Sequence, residues 1–157
     1  MSVLSGVAHT RDDGLAIQVW HVSDALGYEI DHMRWRRLFE EFPRDAGMVS
    51  NIEQRVTEVL SRYQNTYFDE LPMTIDFDNV SSDQYTILEV SVRDRPTLLY
   101  QITKALSDLE LNIHVAKVDT IGNQVVDIFY LSKLESKLRD DLDLAPVREA
   151  VYRAVQL

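Results

Sequence analysis

Tyr85-Thr-Ile-Leu-Glu-Val-Ser-Val-Arg-Asp-Arg-Pro-Thr-Leu-Leu-Tyr-Gln-Ile-Thr-Lys-Ala-Leu106 changes its hydrophobic period halfway along. Up to Val92 the side chains are rich in β-branched and aromatic types, the composition of a strand. Arg93-Asp94-Arg95-Pro96 interrupts it. Pro96 suits the first position of a helix, where its missing N–H costs nothing. Leu98, Leu99, Ile102, Ala105, Leu106 and Leu109 then recur on one helical face. Downstream, Asn112 to Ile121 predicts a second strand. Gly122-Asn123 is a two-residue hairpin signal, and Val125 to Leu131 returns as a third strand. Val147, Ala150, Val151 and Ala154 predict a last amphipathic helix, with Pro146 near its start. The order is β-α-β-β-α.

Upstream of Tyr85 part of that order recurs. Ser2 to Thr10 is strand-like, Arg11-Asp12-Asp13-Gly14 is a turn, and Leu15 to Val22 is a strand again. Helical sequence follows from about Asp31 to Phe42, broken at Pro43 and Gly47. It resumes at Ser50, which with Glu53 forms a capping box, and Ile52, Val56, Val59 and Tyr63 keep the period. Met73, Ile75 and Phe77 alternate behind Pro72 as one more strand. Laid side by side, Gly6-Val7-Ala8 falls over Lys117-Val118-Asp119, and Ile17 to Ser23 over Val126 to Ser132, an apolar hairpin over an apolar hairpin. Duplication and chance likeness of two amphipathic hairpins both explain the match.

A β-α-β-β-α-β unit is the ferredoxin-like arrangement, an α+β fold with an antiparallel sheet and its helices on one face. The chain predicts a partial unit over 1–79, lacking its first strand and helix, and a second unit over 80–157 that lacks only a last strand. The strand over 72–78 can close the first unit or lie along the open edge of the second. Open edges and a bare sheet face predict association, within the chain or between copies.

The run from Tyr85 to Leu106, with Leu111-Asn-Ile-His-Val-Ala-Lys-Val-Asp-Thr-Ile-Gly122 and Val125 to Leu131, resembles an ACT domain. Ile75-Asp-Phe-Asp-Asn79 ahead of it also fits the tandem ACT region at the C-terminus of PII uridylyltransferase/uridylyl-removing enzymes, and the first half is similar to the tail of a preceding ACT unit. The resemblance is specific over 85–131 and weaker elsewhere. It implies a regulatory module that binds a small amino acid, glutamine in that family, as a homodimer or an intramolecular ACT pair. It implies no catalytic domain in this chain, which is then a piece of a larger enzyme or a stand-alone regulatory tail. The family places Gly after Asp-Arg-Pro; this chain has Thr97, whose branched side chain narrows a pocket or whose hydroxyl bonds a ligand. An ACT-like pairing module without ligand is the alternative function.

The candidate ligand site is Arg93, Asp94, Arg95, Thr97 and Leu98. A strand end running into a helix N-terminus offers free amides and a dipole that favour an anionic group such as an α-carboxylate. Asp94 either takes an ammonium or caps the helix, and Arg95 either contacts ligand or is solvated. The resemblance supplies the facing wall from the second strand, often across a dimer interface, which implicates Asn112, Ile113 and His114. Asn112 reads equally as a helix C-terminal turn residue, and His114 as a half-buried strand residue.

Other chemistry finds little support. The chain has 157 residues, 45% of them hydrophobic, enough for a core. Sixteen Lys and Arg against 26 Asp and Glu give a net charge of −10, which repels a phosphate backbone, so nucleic acid is not an expected partner. Arg34, Arg36 and Arg37 beside Glu40 and Glu41 read as a solvated helix face. No cysteine is present, which excludes disulfides and thiolate metal sites. No run is long and apolar enough to span a membrane, and Met1 to Gly6 is too short and mixed for a signal peptide; the cytoplasm is the expected compartment. His9, His21, His32 and His114 lack metal-ligand spacing. Asp76-Phe77-Asp78-Asn79 reads as a strand end, and Asp140-Asp141-x-Asp143 as acids at a helix start. No nucleophile elbow or phosphate-binding glycine loop appears. A small ferredoxin-fold phosphatase would use a strand–helix loop like that around Arg95, but its glycine is not visible. No cofactor, metal or catalytic residue is expected.

Overall fold

A computed structural model describes residues 2–11, 13–23, 30–41, 49–62 and 72–156. The elements run β1 (Ser2–Thr10), β2 (Ala16–Ser23), α1 (His32–Glu41), α2 (Val49–Arg62), β3 (Thr74–Asp78), β4 (Thr86–Arg93), α3 (Leu98–Asp108), β5 (Asn112–Ile121), β6 (Gln124–Ser132) and α4 (Asp140–Gln156). All six strands join one sheet in the order β2-β1-β5-β6-β4-β3, with every neighbouring pair antiparallel. The fold is α+β and ferredoxin-like, as the element order predicts.

Alternation along the strands builds the core. Leu88, Val90 and Val92 on β4 and Val125, Phe129 and Leu131 on β6 turn to one face. They meet Leu98, Ile102 and Leu106 of α3, spaced one helical turn apart, and Val147 and Val151 of α4. Phe129, Leu88, Ile102 and Leu106 are wholly enclosed, and each such side chain contributes about 1.5–3 kcal/mol by burial. Both helices therefore lie on one face of the sheet.

Thr74–Asp78 lies along the second unit. Ile75 pairs with Val90 and Phe77 with Leu88, so β3 fills the fourth-strand position although it precedes the unit in the chain. The strand on the N-terminal side of residue 79 is thus hydrogen-bonded to the unit on the other side. Arg148 on α4 holds β3 in place, donating to the Ile75 carbonyl and lying over the Phe77 ring at 5.1 Å. Asp78 turns the chain by accepting the Val80 and Ser81 N–H groups at 2.6 and 2.9 Å, and those bonds lower its pKa, with the Ser81 hydroxyl contributing most. Asn79 accepts from the Thr86 hydroxyl at 2.6 Å and donates to the Leu138 carbonyl at 3.2 Å. The Asp76–Asn79 run is a strand end, as predicted.

The first hairpin extends the sheet on the β5 side. Gly6 pairs with Val118 and Val7 with Lys117, while Ser5 pairs with Asp119 and Ala8 with Ala116. Gly6 to Ala8 and Lys117 to Asp119 are the residues that the internal repeat superposes, so β1 and β5 meet about a local twofold. Gly6 also pairs with Trp20, and the Trp20 indole occupies the space a β-carbon on Gly6 would need.

Helix α1 is started by Asp31, whose carboxylate accepts the Arg34 N–H at 2.8 Å. Helix α2 begins at Val49, one residue ahead of the predicted cap; the side chain of Ser50, the break at Pro43 and Gly47, and Tyr63 lie outside the described residues. Helix α4 begins earlier than the apolar period suggests, with Pro146 inside it. Asp143 supports the early start by accepting the Arg139 N–H at 2.8 Å. Pro146 merely withdraws the bond that the Leu142 carbonyl would have accepted. No helix among the described residues is long and apolar enough to cross a membrane.

Candidate functional site

The β4–α3 turn is shaped by backbone. The ladder ends where Arg93 pairs with Gln124, and the next amide, Asp94 N–H, donates to the Asn123 carbonyl at 2.8 Å. The loop is thereby tied to the β5–β6 hairpin, where Gly122 adopts φ 63° at the first turn position. Leu98 N–H bonds back to the Arg95 carbonyl at 3.3 Å, and Gln101 N–H opens the helical ladder on the Thr97 carbonyl at 3.0 Å. Thr97 is therefore the N-cap of α3. It sits in the left-handed region at φ 68° and makes no side-chain cap bond. That conformation is natural for glycine and strained for a β-branched residue.

Beside this turn lies a cleft of about 560 Å³. Asp94 through Tyr100 form one wall, Val118 and Thr120 of β5 with Val125 and Asp127 of β6 form the floor, and Ser2, Val3 and Val59 close the rim. The structure thus brings Asp94, Arg95, Thr97 and Leu98 together in the cleft. Arg93 ends its strand and does not line it. Arg95 reaches the other way as well, donating to the Ala154 carbonyl near the C-terminal end of α4, where a cation complements the helix dipole.

Asn112, Ile113 and His114 stand elsewhere. Strands β4 and β5 both pair antiparallel to β6, so they run parallel to each other. The turn after β4 is level with the end of β5, and Asn112 opens β5 roughly 25 Å away at ~3.3 Å per residue. His114 bulges out of the ladder between Ile113 and Val115. It stacks on Tyr85 at 4.4 Å and bonds the Ser132 hydroxyl at 2.8 Å. Ile113 packs against the core, and Asn112 is paired with Ser132. Within the chain, the wall facing the turn comes instead from Val118, Thr120, Val125 and Asp127.

Asp127 is the residue that the motif pattern misses. It has 0% exposure, and neither carboxylate oxygen has a hydrogen-bond partner among the described residues. Burial, with the nearby Asp94 charge adding to it, pushes its pKa up to about 7. Burial also raises the pKa of Asp94, against the Arg95 N–H that favours its ionised form. A signal was available: Asp127 is in phase with Val125, Phe129 and Leu131, and a carboxylate on the inward face of a strand needs an explanation. No group of three or more His, Cys, Asp or Glu that could hold a metal occurs among the described residues.

An antiparallel sheet with α3 and α4 on one face, and a cleft where β4 meets α3, define a ferredoxin-like small-domain architecture. The profile of the ACR9-like, ACT-like domain family matches residues 74–153, and the chain belongs to the ACT-like domain family. Curated relatives agree. A bifunctional uridylyltransferase/uridylyl-removing enzyme of Gluconobacter oxydans is 33% identical over 160 residues, covering 98% of this chain and 17% of the relative. The enzyme of the same name from Cereibacter sphaeroides is 33% identical over 171 residues, covering 99% of this chain and 17% of the relative. That from Rhodopseudomonas palustris reaches 50% identity over 60 residues, covering 38% of this chain and 6% of the relative. The chain thus spans about 17% of the length of the first two. No solved structure matches it.

Proposed function

We propose that the chain is a regulatory module, not itself catalytic, that binds a small amino acid in the cleft beside the β4–α3 turn. Glutamine is the first candidate, from the resemblance to nitrogen-sensing ACT regions. The observation that carries this reading is the cleft itself, which sets the N-terminus of α3 opposite a buried acid, Asp127, that has no hydrogen-bond partner among the described residues. An α-carboxylate suits the first-turn amides, and an α-ammonium suits the acids. Ligand would act by binding one arrangement of the module more tightly than another. Titration calorimetry with the common amino acids is the test. Absence of heat at millimolar concentrations removes the reading.

The alternative, a pairing module without ligand, is favoured by the sheet face opposite the helices, where Val19 is 71% and Ile17 53% exposed. Sedimentation across a concentration range, with and without glutamine, separates the two. Association indifferent to amino acids favours pairing alone.

A further inference from the structure

The floor of the cleft carries more chemistry than an apolar pocket needs. Asp127 is flanked in the sheet by Val90 on β4 and Val118 on β5, so its strand neighbours offer it no polar side chain. Leu98 of α3, Val3 of β1 and Val59 of α2, which also line the cleft, are apolar. The charged or titratable side chains lining the cleft with it are Asp94, Arg95 and Tyr100, with the hydroxyls of Ser2, Thr97 and Thr120, and Arg95 donates to the Ala154 carbonyl. A buried carboxylate with no hydrogen bond is stable only when it holds a proton or meets a cation. Asp127 itself lines the cleft, the side from which a ligand enters.

We propose that Asp127 is the counter-ion for a primary ammonium group of the ligand, with Asp94 as a second acceptor at the rim, so that the cleft selects protonated amines. This rests on the cleft being the ligand site and adds which group is recognised and by which side chain. An ammonium brings three N–H donors and no acceptor, which suits carboxylates whose oxygens are unoccupied. In the empty cleft, burial and Asp94 keep a proton on Asp127 near neutral pH. Arrival of an ammonium favours the ionised carboxylate, and the proton leaves to solvent.

Calorimetry tests this with three probes: L-glutamine, its des-amino analogue 4-carbamoylbutanoate, and propylammonium. Each is titrated into the wild type, Asp127→Asn and Asp94→Asn. Loss of a buried charge partner weakens binding by about 30-fold or more, which is expected for glutamine with Asp127→Asn. A smaller loss is expected with Asp94→Asn, and the des-amino analogue should fail to bind the wild type. Near pH 6 the observed heat of glutamine binding should vary with the ionisation enthalpy of the buffer, reporting proton release from the wild type even if a variant folds poorly. Equal glutamine binding by wild type and a folded Asp127→Asn, without proton release, overturns the inference and leaves the amino-acid reading standing. Asp127-dependent binding of propylammonium without binding of any amino acid supports the inference and removes that reading. No binding of either overturns both.

Discussion

Thr97→Gly should stabilise the protein, although it deletes a side chain beside the candidate site. Thr97 stands at φ 68°, where an L-residue is disfavoured by roughly 1–2 kcal/mol. Its hydroxyl is buried without a hydrogen-bond partner among the described residues, a further cost of about 1 kcal/mol. Against this, glycine adds unfolded-state entropy worth about 0.4–1 kcal/mol, and a lost methyl forfeits about 0.8 kcal/mol of burial. No cap bond is lost, because the side chain makes none. The balance favours the variant by about 1 kcal/mol, or roughly 2–4 °C in Tm for a domain of this size. Thermal unfolding of Thr97→Gly, Thr97→Ala and wild type under one buffer measures it. Alanine keeps the β-carbon and the strain, so it should gain less than glycine. A Tm for Thr97→Gly below wild type, or an equal gain from alanine, would refute backbone strain as the main cost that Thr97 imposes.

Three other perturbations follow from the packing. Gly6→Ala forces the Trp20 indole aside and should cost about 1–3 kcal/mol, read as a lower urea midpoint with an unchanged slope. Arg95→Leu leaves the Ala154 carbonyl without its donor and should lower stability by about 1–2 kcal/mol; hydrogen exchange should speed up at the C-terminal turn of α4 before elsewhere. Asp127 has its pKa raised from 3.8 to about 7 in the folded protein, so the folded state holds the proton that the unfolded state releases. The contribution of Asp127 to stability is therefore full below about pH 3.8 and is lost as pH rises to about 7, by at most about 4 kcal/mol at ~1.4 kcal/mol per pH unit. Asp127→Asn should flatten this dependence and be more stable than wild type at pH 8, and parallel urea curves from pH 5 to 8 would show it.

Local signals carried most of the architecture. The switch from strand to helical period around Pro96, the Gly122 hairpin and the alternation in Leu88–Val92 each act over a few residues, and each reappears in the fold. Placement of β3 was not legible, because Ile75 and Phe77 would suit either open edge. Tertiary contacts decided it, through Val90, Leu88 and Arg148. Helix α4 extends N-terminally past its proline because the Asp143 carboxylate satisfies an amide there, a contact that apolar periodicity does not register.

At the site the gap between sequence and structure has one geometrical source. The motif residues sit in the loop after β4, and Asp94, Arg95 and Thr97 do line the cleft. The opposite wall follows from topology: once β4 and β5 both pair with β6, the end of β5 and the start of β6 must face the turn, and Asn112 cannot within one chain. That constraint turns attention to Val118, Thr120, Val125 and Asp127, and among these the acid alone puts an ionisable group on the inward face of its strand. A core position that sheds its hydrophobicity loses stability unless a partner restores it. The described residues give Asp127 no hydrogen bond, so the compensation has to come from a proton or from a cation entering the cleft, and the two are distinguished by whether binding releases that proton.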